Sequence, residues 1–499
     1  VIGNPPYVRV QGLKSNYENE AKLYEAKYES ATGNYDIYAL FLEMSFHMLK
    51  PNGKLSYILP HKFLISDFGS GLRGFLAENR AVESLLHFGS EMVFEDASTY
   101  TCIITLSHDN KKLNFKSIKP KDIFNYFEYD TINYEKLGTE KWNLSNNDIS
   151  KVLEKINQQP LKVKDIFAKI FQGIKTSGDP IYLLLQTHQG LYSKALDKIV
   201  EIEQGLLKPL VKGEDISRYA NLQNRYFVIF PYLLENGKAK PMSETYIQEN
   251  FPNGYTYLKR NEEFLRGREK GKMNKEGWFL YIYPKSLTEY QKTKILLQEL
   301  SFKSNFTYDN VGMCHAGQYS MVKKENIKED DKFFLTLLNS SLMWFFIQNT
   351  STEFRGGYFA YQTKYIEPFP LPKLKNLDEQ KPFIEKADKM LSLNKSLQET
   401  KQNFFNELKL EKLTKKLQNF KELEFDEFVK EYTKAKKLKF ADKLAERNFK
   451  QEWQAIFEND KILTCRLKDE ITKTDKEIDT MVYKLYNLTE DEIRIVEGK

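Results

Sequence analysis

Cysteine is scarce. Cys102, Cys314 and Cys465 stand alone, with no Cys-x-x-Cys pair. That excludes a zinc knuckle or a disulfide framework and points to a reducing, cytoplasmic setting. Long apolar runs are also missing; none reaches the roughly 20 residues a membrane helix needs, and no signal-peptide pattern opens the chain. Glycine vanishes between Asp378 and Gly498, so the last stretch holds no glycine-rich nucleotide turn. Neither charge sign dominates: 75 Lys and Arg face 69 Asp and Glu, a net +6. This permits a nucleic-acid partner without requiring one. Position 1 is Val, not Met, and it reads as mid-strand, so the expectation is a chain whose N-terminal part lies upstream.

Aromatic side chains are abundant, with 30 Tyr and 35 Phe. Such rings fill cores and also stack on bases. The informative stretch is the first, Val1-Ile2-Gly3-Asn4-Pro5-Pro6-Tyr7. Val and Ile suit a buried strand end. The two prolines fix φ and remove two N–H donors, so their carbonyls can only accept. The residue before a proline is driven to extended geometry. A stiff, acceptor-rich turn with a ring beyond it suits an amino group in the plane of a flat heterocycle. Asn4 Oδ1 and the Pro5 carbonyl would take its two hydrogens, and Tyr7 would stack on its face.

Residues 8–34 are polar and read as a loop or loose helix. Apolar residues from Tyr35 to Leu49 recur at three- and four-residue spacing and predict a helix. Lys50-Pro51-Asn52-Gly53 ends it, and Leu55–Leu59 is a short strand closed by Pro60. Gly69-Ser70-Gly71-Leu72-Arg73-Gly74 matches G-x-G-x-x-G. It lies eight residues beyond the strand, and no acidic residue follows where a ribose contact belongs. It reads instead as a flexible start to a helix at Leu72–Glu78, with Arg73 a candidate phosphate contact. Val93-Phe94 precedes a β-rich run to Leu106. Cys314-His315 has no partner spacing for a metal.

Asn4-Pro5-Pro6-Tyr7 resembles motif IV of amino-methyltransferases, above all N6-adenine DNA methyltransferases. Phe94 before its hairpin resembles motif VIII, whose aromatic forms the second wall of the base sandwich; Tyr100 is the alternative, though its place within the strand reads as core. Gln172-Gly173-Ile174-x-Thr176 and Lys208-Pro209-Leu210-x-x-Gly213-x-Asp215-Ile216 are similar to segments of TaqI-like specificity domains. The chain therefore resembles gamma-class, type IIG restriction–modification enzymes. The resemblance implies an α/β chain: the C-terminal half of a Rossmann-like methyltransferase sheet over residues 1–115, an α+β DNA-specificity domain over 116–375, and a helical, charged region over 376–499.

It also implies catalytic roles for Asn4, Pro5, Pro6 and Tyr7, and stacking of the target base by Tyr7 and Phe94. The donor would be S-adenosylmethionine, its glycine-rich loop lying in an upstream segment of the same enzyme. The partner would be double-stranded DNA, and Mg²⁺ would enter only with a nuclease module. Arg73, Lys175, Arg260, Arg266, Arg268 and Lys285 are the candidate DNA contacts, each also readable as a solvated charge. The rival readings are a non-catalytic DNA-binding remnant and an amino-methyltransferase acting on RNA or a protein glutamine.

Overall fold

The computed structural model describes residues 1–89, 91–94, 99–142, 144, 147–410 and 412–498. The chain divides into two compact units. One holds 1–158, 345–360 and 489–499, the other 159–344 and 361–488.

The first unit is built on six strands: β1 (Ile2–Gly3), β2 (Leu55–Pro60), β3 (Val82–His87), β4 (Thr101–Leu106), β5 (Lys112–Ser117) and β6 (Asp130–Asn133). Their order in the sheet is β1-β2-β4-β3-β5-β6. β1 and β2 are parallel, as are β3 and β5, while β4 runs antiparallel to both β2 and β3. The carboxyl ends of β1, β2, β3 and β5 therefore share one edge of the sheet. Crevices at such an edge are where α/β sheets bind ligands.

Helices Val10–Asn16 and Glu18–Lys27 occupy the polar segment. The periodic stretch forms the helix Ile37–His47, which buries Tyr38, Leu42 and Phe46 against the sheet. Asn52 ends the connection with φ 64°, a left-handed geometry that asparagine tolerates better than most residues.

Within these residues β1 pairs with β2 alone, and Val1 and Ile2 are 78 % and 92 % exposed. The sheet does not end at residue 115; β5 extends it beside β3, and β6 beside β5. The unit also includes residues 345–360 and 489–499.

The second unit contains a six-stranded and a four-stranded sheet. Leu207–Val211 and Tyr226–Ile229 pair antiparallel within the first. Lys294–Leu297 pairs with Phe306–Asp309 and Tyr319–Lys323 in the second. Cys314 and His315 are buried in a short strand of the core. Beyond them, the helices Lys381–Leu408 and Lys443–Leu485 run side by side. Lys386–Glu477 and Lys389–Glu470 ion pairs join them. Phe404, Phe420, Phe428, Trp453 and Phe457 pack where the shorter helix Phe425–Lys436 meets them. No described helix is long and apolar enough to cross a membrane.

Candidate functional site

Gly3 and Tyr57 face one another across β1 and β2. A Cβ on Gly3 would lie 2.7 Å from the Tyr57 ring, so only glycine lets the strand pass there. The chain then leaves the sheet at its carboxyl edge as Asn4-Pro5-Pro6-Tyr7. Asn4 is exposed, Pro5 is buried and Tyr7 is half-buried.

The Tyr7 hydroxyl lies 2.5 Å from Asn4 Oδ1 and 3.0 Å from the Ile58 carbonyl, and its one hydrogen is shared between these two acceptors. The Tyr7 ring meets Tyr38 edge-on at 6.3 Å. Burial, with a smaller electrostatic contribution from Cys102, pushes the Tyr7 hydroxyl up to about 12. It therefore stays protonated, and remains a donor, at any working pH. Asn4 Oδ1 carries two lone pairs; the tyrosine engages one and leaves the other open to a further donor. The turn is thus held from β2, through a contact the four-residue motif alone did not reveal.

Tyr7→Phe keeps the ring and loses this anchor. Turnover should fall about tenfold, the scale of one hydrogen bond near 1.4 kcal/mol, while Tyr7→Ala should fall further. Steady-state turnover of the two variants separates these cases; wild-type turnover in Tyr7→Phe would leave the hydroxyl without a role, and equal losses would leave the ring without one.

Three further aromatics lie along the same edge. His61 follows β2, His87 ends β3, and Tyr100 precedes β4. The two imidazoles stack at 4.1 Å, and Tyr100 stacks on His61 at 6.1 Å. His87 Nδ1 accepts from the Gly89 N–H, which places its proton on Nε2. His61 Nδ1 has no hydrogen-bond partner among the described residues. With Phe115, Ser117, Asp130, Trp142 and Asn349 the two histidines line a cavity of about 400 Å³. The sequence reading missed both histidines. The available signal was their position, each at the carboxyl end of a parallel strand.

Burial lowers His61 to about 4 and His87 to about 3, where the His61 neighbour adds to the effect. In the unfolded chain both titrate near 6.5. Between those values the unfolded chain binds more protons, so stability is complete above about pH 6.5 and is lost as pH falls toward 4. The loss should amount to a few kcal/mol for the pair. A His61→Gln/His87→Gln protein should show a flatter acid limb in urea unfolding. Parallel limbs for the two proteins would refute the assignment.

The remaining sequence candidates separate into two groups. Arg73 is not a phosphate contact. It is 2 % exposed, and its guanidinium donates to the carbonyls of Phe63, Ser66, Thr139 and Glu140. Arg268 is likewise buried, donating to Leu265, Thr176, Trp278 and Leu280 carbonyls. In both, four of the five N–H donors go to main-chain oxygens, and burial keeps the group from a phosphate. Arg266 is engaged by Glu262 and lies over the Trp278 ring. Lys175, Arg260 and Lys285 are exposed. Lys175 pairs through its backbone with Tyr283, and the Lys285 N–H donates to the Tyr283 carbonyl, so these two lysines flank one half-exposed ring.

Phe94 is half-buried and borders residues 95–98, which lie outside the described residues. Tyr100 precedes its strand rather than sitting within it, and its hydroxyl accepts from the Arg355 N–H. Gly69 and Gly71 do not form an open phosphate cradle. A Cβ on either would lie 2.1 Å from the Phe63 carbonyl or 2.3 Å from the Glu29 carbonyl, so both glycines serve close backbone packing. No group of three metal-ligating side chains occurs among the described residues.

Comparison with known proteins adds an independent line. Residues 1–94 match the Eco57I restriction-modification methylase family, residues 208–371 the TaqI-like C-terminal specificity domain, and residues 376–482 a domain of unknown function. The type II restriction enzyme and methyltransferase RM.Eco57I of Escherichia coli is 27 % identical over 434 residues, 81 % of this chain and 43 % of that protein. The type II methyltransferase M.BstVI of Geobacillus stearothermophilus is 25 % identical over 407 residues, 76 % of this chain and 68 % of that one. The chain thus spans less than half the length of the first relative. Among solved structures, the type IIL restriction-modification enzyme MmeI in complex with DNA superposes with a TM-score of 0.55 at 12 % identity, over 100 % of this chain and 56 % of that one. That likeness concerns the fold.

Proposed function

We propose, from the premise that this chain belongs with the restriction–modification DNA methyltransferases that carry a TaqI-like specificity domain, that it methylates N6 of adenine within a specific duplex site. The observation that carries this reading is the Asn4–Tyr7 turn at the carboxyl edge of the sheet, with one Asn4 lone pair free and its Tyr7 partner held by β2. An adenine inside a duplex is out of reach, so the base must be extruded, at a cost of a few kcal/mol. Stacking on Tyr7, and on Phe94 as second wall, would offset about 1–3 kcal/mol per contact.

Adenine N6 is a weak nucleophile because its lone pair is delocalised into the ring. Asn4 Oδ1 and the Pro5 carbonyl accept the two amino hydrogens and draw the nitrogen toward a tetrahedral shape. The pair is then localised on the face presented for attack. Positioning and preorganised acceptors supply the rate. S-adenosylmethionine would supply the electrophilic methyl group. The residues of this chain do not fit its glycine-rich loop, since the one G-x-G-x-x-G stretch is closed by backbone packing. Its main contacts are therefore assigned to a further segment of the enzyme, in keeping with the greater length of the relatives. Lys175, Arg260 and Lys285 are the phosphate contacts we retain. A nuclease module, and with it Mg²⁺, would belong to residues outside these 499.

Incubation of the enzyme with labelled S-adenosylmethionine and duplex DNA, followed by nucleoside analysis, tests the reading. Label should appear as N6-methyladenine at one sequence. Label on cytosine, on RNA or on protein would overturn it.

A further inference from the structure

Two sequence-distant segments of the helical region meet at one end of it, and both are basic. Residues 409–416 contribute Lys409, Lys412, Lys415 and Lys416; residues 434–443 contribute Lys434, Lys436, Lys437, Lys439 and Lys443. Against nine lysines stand two carboxylates, Glu411 and Asp442, a local excess larger than the +6 of the whole chain. The segments are in contact. The Tyr432 hydroxyl donates to the Leu408 carbonyl at 3.1 Å, and Lys436 Nζ donates to the Leu408 and Lys409 carbonyls at 3.0 and 3.3 Å.

A solvated helix end explains part of this, because lysine side chains stabilise exposed helix carbonyls. Lys436 plays that part for the helix ending at Leu408. The other eight lysines are exposed and make no ion pair among the described residues. Asp442 is already used, accepting from the Ala445 N–H as the cap of the last long helix. Lys409 and Lys437 both terminate helices in the left-handed conformation, with φ 48° and 55°. Glycine or asparagine is the residue favoured there. Lysine at both positions retains charge where local backbone preference would discard it, which is how functional positions depart from local rules.

We infer that this end of the helical region is a second, sequence-independent DNA-binding surface, which holds the phosphate backbone of duplex flanking the recognition site. The chemistry is that of clustered ammonium groups on a polyanion: counterion release supplies affinity, and no base is read. The inference rests on the reading of the chain as a DNA methyltransferase.

The test replaces Lys409, Lys412, Lys415, Lys416, Lys434, Lys437, Lys439 and Lys443 by glutamine in the whole enzyme. Duplex binding is then measured between 50 and 200 mM salt, on a site-containing and a scrambled DNA. Each phosphate contact contributes about 0.9 to the slope of log affinity against log salt. With three or four contacts, the slope should fall by about 3 and affinity at low salt by at least tenfold, equally on both duplexes. The corresponding set of arginine substitutions should restore both. An unchanged slope in a folded octuple variant, while the wild type binds duplex, overturns this surface and leaves the enzymatic reading standing. A wild type that binds no duplex at all overturns the enzymatic reading itself.

Discussion

Asn4→Ala should lower the rate of methyl transfer by about two to three orders of magnitude with little change in DNA affinity. The magnitude is that of removing one preorganised group from a transition state, roughly 3–4 kcal/mol. The side chain is exposed and reaches the sheet only through Tyr7, so its loss should leave folding intact. In the proposed mechanism the change removes an acceptor needed only as the amino nitrogen gives up its planarity, so turnover should fall and substrate binding should not. Single-turnover methylation with saturating DNA, alongside an equilibrium binding titration, distinguishes the two. Undiminished turnover would sink the mechanism. A matched loss of binding would make Asn4 a docking residue instead.

Asp309→Ala should lower the midpoint of thermal unfolding of the second unit by roughly 10 °C, the equivalent of about 3–5 kcal/mol. Lys294 and Asp309 are fully buried and lie 2.5 Å apart. The carboxylate also accepts the N–H groups of Val311, Gly312 and Met313, each at 2.9 Å. The ammonium donates to the Tyr290 carbonyl at 2.6 Å. Removing the carboxylate strands a buried ammonium and three backbone donors at once. Lys294→Met leaves the carboxylate its three N–H partners and should cost less. Calorimetry of both variants decides the order; a change under about 2 °C for Asp309→Ala would mean the pair is not buried as described.

Where the sequence was informative, a strong local pattern agreed with the tertiary environment. The three- and four-residue spacing of Ile37, Leu40, Phe41 and Met44 forms the observed helix, and the run before Pro60 forms β2. The Asn4–Tyr7 turn was legible because its chemistry lies in consecutive residues. Its anchor on Ile58 was not, since 51 residues separate the partners. Charge misled in the opposite direction. Arg73 and Arg268 read as surface groups, because nothing local shows that carbonyls from distant turns will surround a guanidinium. Lys294 and Asp309 were passed over for the same reason. The strands Lys112–Ser117 and Asp130–Asn133 are short and largely polar, and each pairs with a neighbour distant in sequence or across a turn, the first with β3 and the second with the first. The contact division also places residues from three separate stretches in one unit, a grouping that composition cannot reveal.

That grouping constrains how the molecule is made. Residues 1–158 emerge from the ribosome first, but the unit to which they belong also contains 345–360 and 489–499. At about 5–20 residues per second, roughly 20–70 s of synthesis separate the early stretch from the last one. During that interval the sheet exists with part of its packing unmade, while the second unit is nearly complete in the chain. The unit bearing Asn4 and Tyr7 is thus begun before the second unit and finished after it. A chain broken off after Leu488 would carry every residue of the second unit while the first still lacked the stretch that begins at Thr489.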